Sequence, residues 1–189
     1  GESGFNEVFL DDVLIPDAYR VDDVGKGWAV AMTVLTHERG AGDGDGAVQV
    51  EPAHEVAALI ELAGESWRDG TQAVDDAVTR DSLMQRAIEG ESLVQNARRA
   101  RVAALNDHPE RLALQEKVTA SEFAQRCAQL GVEIAGAKST LYKLDAAAPK
   151  GGHWPLATMA SYGNTIAGGS NEILRNILGE RILGLAKTK

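Results

Sequence analysis

Cysteine is almost absent from this chain of 189 residues, in which Cys127 is the only one. A single cysteine excludes an intramolecular disulfide, and the sequence has no Cys/His spacing typical of a structural zinc site, so we expect no metal centre. No apolar run approaches the roughly 20 residues that span a bilayer, and the N-terminus lacks the basic start and apolar stretch of a signal peptide. These absences predict a reducing compartment, with the cytoplasm as the default, and no membrane association.

Basic residues are also in the minority. The chain has 19 Lys and Arg against 28 Asp and Glu, a formal net charge of −9. An acidic protein has no general affinity for nucleic-acid phosphates, so we expect no nucleic-acid partner. The 44% of hydrophobic residues is enough for the core of one globular domain with part of another.

The first 21 residues differ in pattern from the rest. An apolar-rich stretch there, broken by Asp11-Asp12 and ended by Pro16, predicts short strands or an edge hairpin. The chain opens within this pattern and has no initiator methionine. We therefore expect it to be a piece of a longer protein.

From Asp22 onward the apolar residues follow a helical period. A first helix ends in the glycine-rich run that starts at Gly40, and a second begins near Pro52. The second helix carries a predicted apolar stripe of Val56, Leu59, Ile60, Ala63 and Trp67.

Four further helices are predicted by the same period. Two are long, over about 80–105 and 110–135, and two are shorter, over about 155–164 and 170–183. Ser170 is placed as the N-cap of the last one, directly after Gly168-Gly169. The fold class is therefore mainly α, with residues 22–189 as an up-down, four-helix-like bundle and a short β remnant before it.

Motifs near the two ends of the chain carry a family resemblance. The first consists of Phe5-Asn6-Glu7-Val8-Phe9-Leu10-Asp11-Asp12-Val13, Ile15-Pro16 and Gly25-Lys26-Gly27-Trp28. The second consists of Ile166-Ala167-Gly168-Gly169-Ser170-Asn171-Glu172-Ile173, Arg175-Asn176-Ile177 and Gly179-Glu180-Arg181. In this order and at this separation they resemble the C-terminal part of the acyl-CoA dehydrogenases.

The resemblance implies a domain division and a chemistry. Residues 1–21 match the end of the family's middle β-domain, and 22–189 match its C-terminal helical bundle. The implied enzyme uses FAD to remove an α-proton and a β-hydride from an acyl-CoA thioester. It is a homo- or hetero-tetramer that passes electrons to an electron-transfer flavoprotein. Because most of the flavin pocket lies in family domains without a counterpart here, we expect this piece alone to be inactive.

Removal of an α-proton requires a base and a polarised thioester carbonyl. Many members place the base in the final signature, where this chain has Gly168. A second group places it on the first helix of the C-terminal domain, in a stretch that resembles Leu35-Thr36-His37-Glu38-Arg39. The resemblance therefore makes Glu38 the candidate base, and Arg39 a candidate contact to the CoA portion.

The Gly168-Gly169-Ser170 segment is expected to contact both the substrate and the flavin. Two glycines let the backbone approach a ligand closely, and a helix start presents N–H groups. By resemblance, the Gly168 amide would contact the thioester carbonyl, while Gly169, Ser170 and Glu172 would contact the flavin.

Two flavin-contacting segments of homotetrameric members depart from the family pattern here. The Arg and aromatic-Gly-x-Pro-Ile segment is unmatched over 77–84, and a Gln with paired glycines appears as Glu133-Ile134-Ala135-Gly136-Ala137. This pattern resembles heteromeric members. Two hypotheses therefore remain, a catalytic subunit with Glu38 as base, and a non-catalytic subunit that completes the flavin site and the oligomer.

Overall fold

A computed structural model describes residues 7–36, 51–105, 111–143 and 145–187. The chain divides into two units, Gly1–Leu35 and Thr36–Lys189.

The first unit has one regular helix in its described part, α1, which covers Gly27–Thr36. Before it lies a single 3₁₀ turn, Asp17–Tyr19. The strands predicted within residues 1–21 do not occur in residues 7–21, so that prediction is wrong for this part. Apolar residues alone do not make a strand, because a strand is defined by hydrogen bonds to a neighbour, and none of these described residues has one.

The second unit is helical, as predicted. Its described helices are α2 (Pro52–Glu65), α3 (Ala77–Ala100), α4 (Arg111–Ala135), α5 (His153–Ile166) and α6 (Asn171–Ile177), and a π-helical turn, Leu178–Ile182, continues α6. The Asp76 carboxylate caps α3 by accepting hydrogen bonds from the Thr79 N–H at 2.8 Å and the Thr79 hydroxyl at 2.9 Å. This cap explains why α3 begins a few residues before its predicted start.

A small hairpin joins α2 to α3. Its strands, β1 (Trp67–Arg68) and β2 (Thr71–Gln72), pair antiparallel across Asp69 and Gly70, whose φ angles of 51° and 82° form a tight turn. The predicted stripe of α2 was wrong for Ile60 and Trp67. Ile60 is exposed, and Trp67 is exposed and lies beyond the end of α2 at Glu65. The Arg68 guanidinium donates to the Glu133 carbonyl at 2.9 Å and so ties the hairpin to the end of α4.

The main core lies around the C-terminal half of α4. Residues at intervals of three and four on this helix are buried, as predicted for Phe123, Cys127, Leu130 and Ile134. They pack with Leu59 and Leu62 of α2, Leu83 of α3 and Trp154 of α5. Burial raises the pKa of the Cys127 thiol to about 12, so this cysteine is an apolar core residue without thiolate chemistry.

The N-terminal half of α4 packs against a second, smaller cluster. Leu114 and Val118 are buried against Leu174 of α6, and Ile177, Leu178 and Ile182 cover them. This contact attaches α6, and with it the turn between α5 and α6, to α4.

The close approach of α5 to α4 depends on one glycine. A Cβ atom on Gly131 of α4 would lie 2.2 Å from ring atoms of Trp154, which is almost completely buried. Only a residue without a side chain leaves room for this indole ring.

We expect Gly131→Ala to lower the free energy of unfolding by about 1–3 kcal/mol, because the added methyl group overpacks the core. The matched control is Gly163→Ala in α5, where the new Cβ meets no described atom within 4 Å. Since alanine favours a helix over glycine by about 0.5–1 kcal/mol, the control should be neutral or stabilising. Urea unfolding of both variants measures the difference, and equal stabilities would contradict the packing described.

Candidate functional site

The turn between α5 and α6 is the candidate site. Gly168 and Gly169 adopt φ angles of 66° and 99°, in the left-handed region that favours glycine. Ser170 follows in an extended conformation, and its hydroxyl accepts a hydrogen bond from the Ile173 N–H at 3.4 Å. The predicted N-cap is therefore confirmed, and we call residues 168–170 the signature turn.

A lysine from α4 contacts the signature turn. The Lys117 ammonium donates to the Gly169 carbonyl at 2.9 Å and to the Asn171 side-chain oxygen at 2.7 Å. It also lies 3.4 Å from the carbonyl of Thr165, in the last turn of α5. One charged group thus joins the end of one helix, the turn and the start of the next.

Asn171 connects the same region to α4 by a second route. Its side chain is 2% exposed, and its amide nitrogen donates to the Ser121 hydroxyl at 3.0 Å and to the Glu122 carboxylate at 3.3 Å. Its oxygen accepts from Lys117. Both ends of this buried amide are therefore hydrogen-bonded, as burial of a polar group requires.

Ion pairs extend the connection to α3. Glu122 pairs with Arg175 of α6 and lies 3.7 Å from Arg126, which in turn pairs with Glu89 of α3 at 3.1 Å. These side chains are partly exposed, so each pair is screened by solvent and contributes little by itself. Their effect is to orient α3, α4 and α6 relative to one another.

Glu172 is exposed in the first turn of α6 and carries a stabilised negative charge. Its own backbone N–H and the Ser170 hydroxyl hydrogen-bond the carboxylate and lower its pKa, and the charges of Arg175 and Lys117 act in the same direction. This is the expected electrostatics of an acidic residue at a helix N-terminus. Glu172 is therefore ionised at neutral pH.

Four of the predicted site residues, Gly168, Gly169, Ser170 and Glu172, lie together in and directly after this turn. Glu38 and Arg39 lie outside the described residues, as does the glycine-rich run that starts at Gly40. The prediction that Glu38 is the base therefore stays a prediction.

Sequence reasoning missed the α4 residues that contact the turn and Asn171. Lys117 and Ser121 fall three and seven positions after Leu114, on the helix face that buries Leu114 and Val118. The available signal was that these two polar residues interrupt the apolar stripe of α4, which indicates polar partners on that face. Their partner, Asn171, is at least 50 positions further along the chain, so the contact itself could not be predicted from spacing.

Two other expectations concern metals and membranes. Over the described ranges, no group of three His, Cys, Asp or Glu side chains is arranged to bind a metal ion. No helix in the same part of the chain is both long and apolar enough to cross a membrane.

Comparison with known proteins identifies the family. Residues 25–183 match the family of acyl-CoA dehydrogenase C-terminal domains. The chain therefore belongs to this family. The predicted resemblance and the predicted bundle are both confirmed.

Individual relatives agree with this assignment. The chain is 35% identical to acyl-CoA dehydrogenase IpdE1 of Mycolicibacterium smegmatis over 99% of its own length and 44% of the relative's. Among solved structures it is similar to the ChsE4-ChsE5 complex from Mycobacterium tuberculosis, with a TM-score of 0.73, 25% identity, and 92% and 45% of the two chains covered. The FAD complex of PigA shares the fold, with a TM-score of 0.70 at 19% identity over 93% and 43% of the chains. The chain thus spans less than half the length of each of these proteins.

The lowered pKa of Glu172 predicts a pH-dependent contribution to stability. Because the folded pKa lies below the unfolded value of about 4.3, the contribution is present above that pH and is lost as the pH falls through the folded pKa. We expect Glu172→Gln to lower the Tm at pH 7, with the gap to the parent closing below about pH 4. Thermal melts across this range test it, with Glu116→Gln on the exposed surface of α4 as the control for charge removal. A gap that is the same at every pH would contradict the assignment.

Proposed function

We propose that this chain is the C-terminal domain of a catalytic acyl-CoA dehydrogenase subunit, which oxidises the α,β-bond of an acyl-CoA thioester. The observation that carries the proposal is the signature turn, in which the Gly169 carbonyl accepts a hydrogen bond from Lys117 and the ionised Glu172 follows directly. The family assignment limits the chemistry to this class. The identity of the acyl group does not follow from these residues.

The base is the first requirement of the reaction. Glu38 follows Leu35 by three positions and Val34 by four, so on a continuing helix its carboxylate would edge an apolar stripe. Apolar surroundings favour the neutral form of a carboxyl group and so favour proton uptake from the α-carbon. The alternative family position for a base is occupied by Gly168, which has no side chain to titrate.

The carbonyl of the thioester must be polarised as the α-proton leaves. We assign this role to the main-chain amide of Gly168, because donors fixed before the reaction stabilise developing negative charge best. Arg39 is assigned to the CoA portion of the substrate. Its permanent charge suits phosphate groups.

We assign the flavin contacts to the same turn, whose residues are partly buried. Gly169 allows close approach of the backbone, and Ser170 and Glu172 offer polar groups at the start of α6. When bound, FAD supplies the acceptor for the β-hydride. An electron-transfer flavoprotein is the proposed acceptor of the electrons afterwards, as implied by the family.

A second function, a non-catalytic subunit of a mixed oligomer, is favoured by one observation. The segment Glu133-Ile134-Ala135-Gly136-Ala137 lacks the Gln and paired glycines used against flavin. It also forms the end of α4 and the start of a 3₁₀ turn, and its Glu133 carbonyl is engaged by Arg68 of the same chain. A partner chain would then supply the missing contacts, in line with the heteromeric complex to which this chain is similar.

Exposed apolar residues on α5 support an oligomer in either case. Met159, Tyr162 and Ile166 are spaced by three and four residues on one face, and are 58%, 55% and 66% exposed. Contiguous apolar surface of this kind is usually covered by another chain.

We expect the 189-residue chain to self-associate through this face, because association would remove the apolar side chains from water. Light scattering at micromolar concentration should give a mass above 20.1 kDa. The double variant Met159→Glu with Ile166→Glu should shift the mass toward the monomer, whereas Lys138→Glu, at an exposed position outside this face, should not. A parent chain that is a monodisperse monomer would contradict the expectation.

The proposed base is tested in the full-length protein together with any partner chain that it requires. Glu38→Gln should leave flavin content and acyl-CoA binding nearly unchanged, and lower the rate of flavin reduction by roughly 10²–10⁴-fold or more, since an amide cannot accept the proton. Anaerobic stopped-flow absorbance measures this rate.

Glu51→Gln is the matched control for this substitution. Its carboxylate lies nearby in sequence and makes no capping hydrogen bond with α2, so the rate should stay at the parent value. If Glu38→Gln reduces its flavin as fast as the parent, Glu38 is not the base and the non-catalytic function is favoured.

A further inference from the structure

We infer that Lys117 is a positioning residue, whose ammonium group fixes the geometry of the signature turn from α4. The inference rests on the proposed function of that turn. Lys117 reaches three oxygen acceptors, the carbonyls of Thr165 and Gly169 and the side chain of Asn171, at 3.4, 2.9 and 2.7 Å. An ammonium group has three N–H donors and no acceptor, so it can donate to several of these oxygens.

The turn needs a restraint from outside. Gly168 and Gly169 have no side chains with which to pack, and glycine is the residue with the widest choice of backbone conformations. Their φ angles of 66° and 99° are one choice among several that glycine accepts at little cost. A hydrogen bond to the Gly169 carbonyl selects this conformation, and Asn171, buried directly after Ser170, fixes the other end of the turn.

The positive charge is as important as the donors. Thr165 belongs to the last turn of α5, where the final carbonyls have no partner within the helix and the helix dipole is negative. A cation there is attracted to both, and hydrogen bonds from a charged donor are stronger than those between neutral groups. A neutral side chain of the same length would lose both contributions.

The surroundings of Lys117 distinguish positioning from ordinary packing. The residue is partly buried and lies on the α4 face that carries the buried contacts of Leu114 and Val118 with Leu174. An apolar residue would suit this environment better if packing were its only role, because burying part of a charged side chain has a desolvation cost. The acceptors supplied by the turn offset that cost.

The first test measures amide hydrogen exchange in the 189-residue chain. Lys117→Met preserves the length and apolar stem of the side chain but removes the charge and the donors. We expect exchange to accelerate by about tenfold or more in peptides that cover 165–171, as expected when a closed segment opens more often, and to stay at the parent level in peptides that cover the core of α2. Lys117→Arg, which keeps the charge and the donors, should restore much of the protection.

Lys138→Met is the matched control, since Lys138 is exposed in the turn that follows α4. It should change exchange in neither segment. A parent-like signature turn in Lys117→Met would overturn the inference. So would an equal acceleration in the turn and in the α2 core, because that result would make Lys117 a general contributor to stability.

The second test uses the full-length, flavin-loaded protein and its required partner. Lys117→Met should lower the rate of flavin reduction at saturating acyl-CoA by roughly 10- to 100-fold, because small displacements of a reacting geometry are costly. The apparent Kd for the thioester should change much less, and Lys117→Arg should recover most of the rate. A purely structural role would lower the Tm without this division between rate and binding.

The two tests also separate the inference from the function on which it rests. If the parent protein neither binds flavin nor oxidises an acyl-CoA, the proposed function fails, and hydrogen exchange alone decides whether Lys117 positions the turn. If the parent is active and Lys117→Met reduces its flavin at the parent rate, the positioning role is overturned while the proposed function stands.

Discussion

The contact between the Lys117 ammonium and the signature turn is the interaction on which the candidate site depends. Two consecutive glycines give the turn freedom to approach a ligand, but the same freedom would leave it without a defined shape. Lys117 and Asn171 restrict it, and both act through α4. The conformation of the turn therefore depends on how firmly α4 packs against the helices around it.

This dependence divides α4 into two functional parts. Its C-terminal half, with Phe123, Cys127 and Leu130, is apolar and forms the main core with α2, α3 and α5. Its N-terminal half combines the small apolar cluster around Leu114 with the polar contacts to the turn and α6. The apolar C-terminal half anchors the helix in the main core. The N-terminal half can therefore include partly buried polar groups, which position the turn but have a desolvation cost.

The sequence predicted the regular helices well for identifiable reasons. The face of α4 followed from residues at intervals of three and four, and Ser170 was recognised as a cap. The α2 stripe failed at Trp67, because α2 ends at Glu65 and Trp67 lies in strand β1, a change of structure that periodicity alone does not show. The strands expected near the N-terminus failed because strand formation depends on a hydrogen-bonded neighbour.

The link between Lys117 and Asn171 was missed because it joins residues that are 54 positions apart. Glu38 was selected by family resemblance. Its spacing from Leu35 and Val34 supports that choice, but spacing alone would not have distinguished it from an ordinary helix carboxylate.

We propose that this chain belongs to the catalytic side of a flavin-dependent acyl-CoA oxidation. The most direct measurement is an anaerobic titration of the purified full-length protein, with any partner chain it requires, against a panel of acyl-CoA thioesters. Loss of the visible absorption of the oxidised flavin reports transfer of the β-hydride. The account predicts that at least one thioester bleaches the flavin stoichiometrically and yields the α,β-unsaturated product. A protein that holds flavin but stays oxidised with every thioester of the panel would contradict it.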